Sequence, residues 1–377
     1  MASHPYPSSL EAATREHNLP SLDGLRAVAV FLVVFYHSGL PVNGGLGVLM
    51  FFVISGFLIT WLLLQEEKRW RDISLKLFYI RRTLRIFPAF YVFWLLVVVG
   101  FAVLGKRVHV GQAAASFFYV TNYYQALLGD PDTALSHTWS LAIEEQFYLL
   151  WPLAFLLLGD ARRRMHALMI VIPLVWVYRI VAVLWFHLWQ GYVYEALDMR
   201  ADHLLVGCLL ATVLHQKSAP RLWRLICARP WALWITVGGL ALSSEAPHFL
   251  HHAWRYRDLV GFTIDPILTA ILIVQAMTFS QISARWLNWG WVRLLGRMSY
   301  SIYLYQQVTL SPPRHLLKSA PLLVQLIGGI ATCLAFSAAS YYFVERPFQA
   351  LKERIGKRTK KQAVEVNPSV AHKLKSG

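Results

Sequence analysis

The sequence predicts an all-α fold, a polytopic membrane helix bundle of about ten transmembrane helices, and two observations predict it. Of 377 residues, 56% are hydrophobic and only 15% are charged, whereas soluble domains carry about a quarter charged residues. Ten apolar stretches, several approaching or exceeding the ~20 residues that cross a bilayer, lie near 24–41, 46–64, 87–105, 139–158, 168–187, 203–214, 230–243, 258–280, 298–311 and 320–344. The second observation is the placement of Lys and Arg. With a cytosolic N-terminus, the loops after even-numbered spans should be the basic ones. They hold seven (65–86), three (159–167), four (215–229) and three (281–297), with nine more from Arg346 onward and Arg15 and Arg26 near the start. The opposite loops hold seven, and one, Arg179, falls within a span. Both termini are therefore expected in the cytosol.

Taken in order, residues 1–20 form a polar cytosolic segment with no apolar core of a signal peptide, so the first span is expected to direct insertion. Residues 21–345 form the transmembrane domain. Residues 346–377 are basic and poor in apolar residues, which predicts a flexible tail able to touch anionic lipid. The net charge of +16 does not mark a nucleic-acid binder, because the basic residues sit between hydrophobic runs rather than on a soluble patch. Cys208, Cys227 and Cys333 are scattered, fitting neither a zinc spacing nor a disulfide framework.

Ionisable residues inside the apolar stretches are where chemistry is expected. Arg26 and His37 are eleven residues apart on the first span, about three helical turns, so both fall on one face some ~16 Å apart. An imidazole can take a proton from a hydroxyl at neutral pH. In FYIRRTLRIFP, residues 78–88, Arg81, Arg82 and Arg85 include i, i+3 and i, i+4 neighbours; the cluster reads as a stop-transfer signal or as a guanidinium fork for phosphate. In HTWSLAIEEQFYLLWP, residues 137–152, His137, Glu144 and Tyr148 share a face, with two adjacent carboxylates that need a partner or water. Arg200 and Asp202 flank the sixth span and are placed to pair or to bind substrate. Asp265–Pro266 is a candidate kink in the eighth span. Ser299 and Tyr303 belong to a polar and aromatic stripe, SYSIYLYQQ, and VISG around Ser55 reads as small residues permitting close helix approach.

LDGLRAVAVFLVVFYH, GGLGVLMFFVISGFLIT, FYIRRTLRIFP, HTWSLAIEEQFYLLWP, RADHLLVG, LGRMSYSIYLY and YYFVERPF occur in the order seen in the acyltransferase 3 family, which the chain resembles over roughly residues 18–348. The resemblance implies a bacterial cytoplasmic-membrane enzyme with acyl-CoA, usually acetyl-CoA, as donor from the cytosol and a hydroxyl acceptor, commonly on a carbohydrate or glycolipid. His37 matches the family's proposed base, with Glu144, of the WSLxxE motif, as the expected neighbour holding it. Arg26, Arg81, Arg82 and Arg85 match positions implicated in donor binding or in function, and Glu345 and Arg346 match the ERP near the last span. Gln306 stands where many relatives have His, and an amide does not titrate. Some relatives carry a fused esterase-like domain; here such a partner would be encoded separately. No bound cofactor and no metal is expected, acyl-CoA being a substrate. The alternatives are an acyltransferase for a small secondary metabolite, or a transporter of lipid-linked glycans using the same buried charges.

Overall fold

The computed structural model describes residues 6–15, 19–249, 253–279, 282–316, 320–352 and 354–355. Every regular element among them is helical. In chain order these are α1 (Ser8–Arg15), α2 (Pro20–His37), α3 (Gly44–Trp70), α4 (Leu75–Val103), α5 (Val110–Phe117), α6 (Thr121–Leu128), α7 (Thr138–Leu157), α8 (Ala161–Leu184), α9 (Gln190–Glu195) and α10 (Leu197–His215). There follow α11 (Pro220–Ile226), α12 (Ala232–Phe249), α13 (Ala253–Tyr256), α14 (Phe262–Thr278), α15 (Gly290–Arg297), α16 (Ser299–Leu316) and α17 (Leu322–Ser340). Two π-turns, Arg257–Gly261 and Tyr341–Glu345, lead into α14 and extend α17.

α3 is the axis of the bundle. It is apolar on all sides, the pattern of a helix buried all round, and Phe52, Val53, Ile54, Phe57 and Ile59 are enclosed. Its backbone meets α10 directly: a Cβ on Gly56 would lie 1.9 Å from the Leu204 carbonyl oxygen, and one on Gly207 would lie 2.1 Å from that of Val53. Close backbone approach is what small residues permit between membrane helices, as the VISG reading expects. α2 packs against α3 and α15, and α16 against α17. The outward faces of α4, α8 and α17 expose Leu95, Leu96, Ile170, Leu174, Leu322 and Ile327, as a lipid-facing surface should.

Each of the ten expected spans coincides with a helix, and six helical stretches among the described residues are long and apolar enough to cross a membrane on their own. α7, α10, α12 and α16 fall outside those six; α12 is apolar but shorter, and α7, α10 and α16 carry polar side chains that face the protein interior. Between α4 and α7 the chain forms two short helices, α5 and α6. Other details differ from expectation. The Tyr6 and Leu10 side chains of the N-terminal segment are buried. The helix of α17 continues through Lys352, into the expected tail, because Gln349, Ala350, Leu351 and Lys352 are good helix formers. Residue 353 and residues 356–377, the rest of that tail, lie outside the described residues. The five-residue π segment Arg257–Gly261 precedes Asp265–Pro266, and Pro266 lies inside α14, where it withholds one helical amide. Cys208, Cys227 and Cys333 are unbridged.

Candidate active site

The expected site residues divide between two cavities along the bundle. The first, of about 70 Å³, is lined by Arg26 from α2, Ser55 from α3, Arg82 and Arg85 from α4, Glu144, Glu145 and Tyr148 from α7, and Ser299 and Tyr303 from α16. The second, of about 580 Å³, is lined by His37 at the end of α2, His137 at the head of α7, Asp130 and Asp132 from the α6–α7 loop, Glu195 from α9, Arg257 and Asp265, and Gln307 from α16. Val48 and Tyr303 line both. The eleven-residue spacing of Arg26 and His37 therefore spans one cavity to the next.

α16 joins the two. Ser299, Tyr303 and Gln307 follow one another at i, i+4 and i+8, a ridge along a helix. Ser299 faces the first cavity with a buried hydroxyl that has no protein partner. The Tyr303 hydroxyl lies 2.5 Å from that of Ser140 and donates to the His137 carbonyl at 3.2 Å. The Gln307 carbonyl oxygen accepts from the His137 backbone N–H at 3.2 Å and lies 2.7 Å from its Nδ1.

In the first cavity the Ser55 hydroxyl donates to Glu144 at 2.7 Å, so Ser55 does more than permit close approach. Arg82 stacks on the Tyr148 ring, 4.9 Å from its centroid. Nε of Arg26 is buried without a partner. Arg81 turns away to an ion pair with Glu66 at 3.4 Å and does not line the cavity, because adjacent helical positions point about 100° apart. The expected fork is thus Arg82 and Arg85, with Arg26 opposite.

In the second cavity Nδ1 of His37 bonds the Val33 carbonyl, one turn back, at 3.0 Å. Glu144, expected to hold His37, instead lines the arginine cavity; it lies seven residues beyond His137 on α7, about 10 Å deeper. Tyr36, Trp139, Tyr194 and Phe262 add aromatic faces to the His37 cavity. Asp130 is committed to the loop, its Oδ1 accepting from Ser136 at 2.6 Å and from the Asp132 N–H at 2.9 Å.

Four further candidates line neither cavity. Arg200 and Asp202 do not pair, since positions i and i+2 on a helix diverge. Asp202 is held in a two-point pair by Arg179 at 2.9 and 3.0 Å and by Trp176 Nε1 at 2.9 Å. Arg200 stacks on Phe262, 3.8 Å from its centroid, behind the wall of the second cavity. Glu345 is buried and accepts from the Ser301 hydroxyl, and Arg346 is exposed over Tyr342. Sequence reasoning did not single out Gln307, Glu195, Tyr194 or Arg257 for the site, and marked Glu145 only as the second of two adjacent carboxylates. Gln307 was one residue from the position compared with relatives, and no short motif marked the others. Among the described residues no group of three His, Cys, Asp or Glu side chains is arranged to hold a metal ion.

Apolar helices enclosing a polar, charged interior define an integral membrane protein with a buried site. The profile of the acyltransferase 3 domain matches residues 19–342, and the chain belongs to that family. It is 32% identical over 368 residues to the O-acetyltransferase OatA of Staphylococcus aureus (strain NCTC 8325 / PS 47), covering 90% of this chain and 58% of that one. It is 34% identical over 360 residues to the peptidoglycan O-acetyltransferase OatA of Listeria monocytogenes serovar 1/2a, covering 88% and 56%. The chain therefore spans just over half the length of these curated relatives. No solved structure matches it.

Proposed function

We propose that this protein is a membrane O-acyltransferase that moves an acetyl group from acetyl-CoA to a hydroxyl of a carbohydrate, with peptidoglycan or its lipid-linked precursor as the acceptor class. The observation that carries the reading is the pair of neighbouring cavities, one holding the guanidinium groups of Arg26, Arg82 and Arg85 and the other His37, with Val48 and Tyr303 in the walls of both. Arg26, Arg82 and Arg85 suit the phosphates of CoA, because guanidinium groups match phosphate oxygens two at a time. Loop charge supports a position for that end of α2 on the cytosolic side of the bacterial inner membrane, where acyl-CoA is made. The names of the relatives supply the acceptor class.

In this reading His37 is the general base. Its Nδ1 faces the Val33 carbonyl, which only accepts, so Nδ1 carries the proton and Nε2 the lone pair. Nε2 takes the proton of the acceptor hydroxyl as its oxygen attacks the thioester carbonyl carbon. The tetrahedral intermediate collapses with cleavage of the C–S bond, and the CoA sulfur leaves with the proton that His37 held. Holding donor and acceptor on either side of the shared wall supplies the proximity that acyl transfer needs.

The test is transfer of radiolabel from acetyl-CoA to soluble peptidoglycan strands by the purified protein in lipid nanodiscs. Labelled strands in the wild type and none above background in His37→Ala support the proposal. No thioester cleavage by the wild type with any glycan tried, together with movement of a lipid-linked glycan across vesicles, would establish the transporter alternative.

A further inference from the structure

Gln307 decides which nitrogen of His137 carries a proton. The His137 backbone N–H can only donate, so the Gln307 atom facing it is the amide oxygen. That oxygen can only accept, so Nδ1 of His137, 2.7 Å away, must carry its hydrogen. The lone pair of the neutral ring is then on Nε2. This nitrogen is buried with no hydrogen-bond partner in the protein, on a residue that lines the His37 cavity. The Leu304 backbone also lies within bonding reach of the ring, and its carbonyl would take a hydrogen from Nε2 only in the other tautomer, which the Nδ1 contact with the Gln307 oxygen opposes. Buried polar atoms are rarely left unpaired, so an unpaired nitrogen on a cavity-lining ring points to a ligand that donates.

We propose that Nε2 of His137 accepts a hydrogen bond from a hydroxyl of the acceptor, and that Gln307 is the positioning residue that locks the tautomer. This rests on the acyltransferase reading above and sharpens it. His37 and His137 present the same tautomer to one cavity. A molecule with two neighbouring hydroxyls satisfies both, one giving up its proton to His37 and the other anchored on His137. The acceptor class is therefore a polyol or sugar rather than a molecule with a single hydroxyl. Aromatic faces at Trp139 and Tyr194 in the same cavity suit the apolar face of a sugar ring.

Steady-state kinetics of acetyl transfer from acetyl-CoA to soluble peptidoglycan strands, with the full chain in nanodiscs, test this through two His137 variants with opposite losses. His137→Gln keeps an acceptor near the Nε2 position and loses the Nδ1 donor; His137→Asn keeps a donor near Nδ1 and loses the acceptor. The proposal predicts that His137→Asn raises the acceptor KM by about tenfold or more, the scale of losing a hydrogen bond to a substrate hydroxyl, with the acetyl-CoA KM unchanged. His137→Gln should be milder. A purely structural role would reverse that ranking, because Asn preserves the bond to Gln307. Gln307→Glu, which keeps an accepting oxygen, should stay near wild type, while Gln307→Leu should raise the acceptor KM; this second pair decides the matter if the His137 variants do not fold. Equal or reversed ranking within His137, or Gln307→Glu as damaging as Gln307→Leu, overturns the proposal and leaves the acyltransferase reading standing. Failure of the wild type to turn over acetyl-CoA overturns that reading instead.

Discussion

Arg26, Arg82 and Arg85 line one cavity beside Glu144 and Glu145, and Asp130, Asp132, Glu195 and Asp265 line the other beside Arg257, although only Val48 and Tyr303 are common to both. In a low-dielectric interior such a difference sorts ligands, since charges lining a cleft focus the field within it. In the proposed reading a donor carrying several phosphates is drawn to the three guanidinium groups of the first cavity, and a neutral polyol is bound in the second.

The comparison breaks most severely if His37 belongs to the donor side. His37→Ala is expected to lower the rate of acetyl transfer by about 10²–10⁴-fold, the contribution of a positioned general base; transfer within tenfold of wild type would remove His37 from the mechanism. Next in size is the donor side. Arg85→Ala is expected to raise the acetyl-CoA KM by about tenfold, as for loss of a charged hydrogen-bond partner, while the acceptor KM holds. A parallel rise in both KM values would mean that the cavities are not separate.

A smaller effect reports on the second cavity through stability. Glu195, on the short α9, is pushed up to about 8 by burial and by the neighbouring Asp130. Between its ordinary value near 4.5 and about 8, the folded protein holds a proton that the unfolded chain has released. Stability therefore falls as pH rises through that window. In Glu195→Gln the decline in melting temperature between pH 5 and pH 8 should be shallower than in wild type; an equal decline would deny Glu195 this role. The smallest effect belongs to Arg81. Its half-buried partnership with Glu66 at 3.4 Å turns it away from the donor cavity, so Arg81→Ala should shift the acetyl-CoA KM by less than about threefold, a loss within the ~1 kcal/mol of a weak ion pair, and a larger shift would return Arg81 to the donor site.

Much of this arrangement was legible in the order of residues. Apolar runs marked the helices, and the Arg26–His37 spacing on one helix face carried over into two cavities on one side of α2. What one-dimensional spacing does not contain is depth. His137, Glu144 and Tyr148 share a helical face by periodicity, yet the seven residues from His137 to Glu144 place them in different cavities. Asp202 was matched to Arg200 by proximity in sequence, whereas its partner Arg179 comes from another helix. Gln307 acquires its role only because α16 crosses the head of α7, a contact that no local pattern encodes.

The separation of donor and acceptor sides is tested most directly by equilibrium binding of acetyl-CoA, without acceptor, to Arg85→Ala and His37→Ala in nanodiscs. The account predicts that His37→Ala binds acetyl-CoA as tightly as wild type while Arg85→Ala binds it about tenfold more weakly, a difference near 1.4 kcal/mol. Weakened binding in His37→Ala with unchanged binding in Arg85→Ala would contradict it.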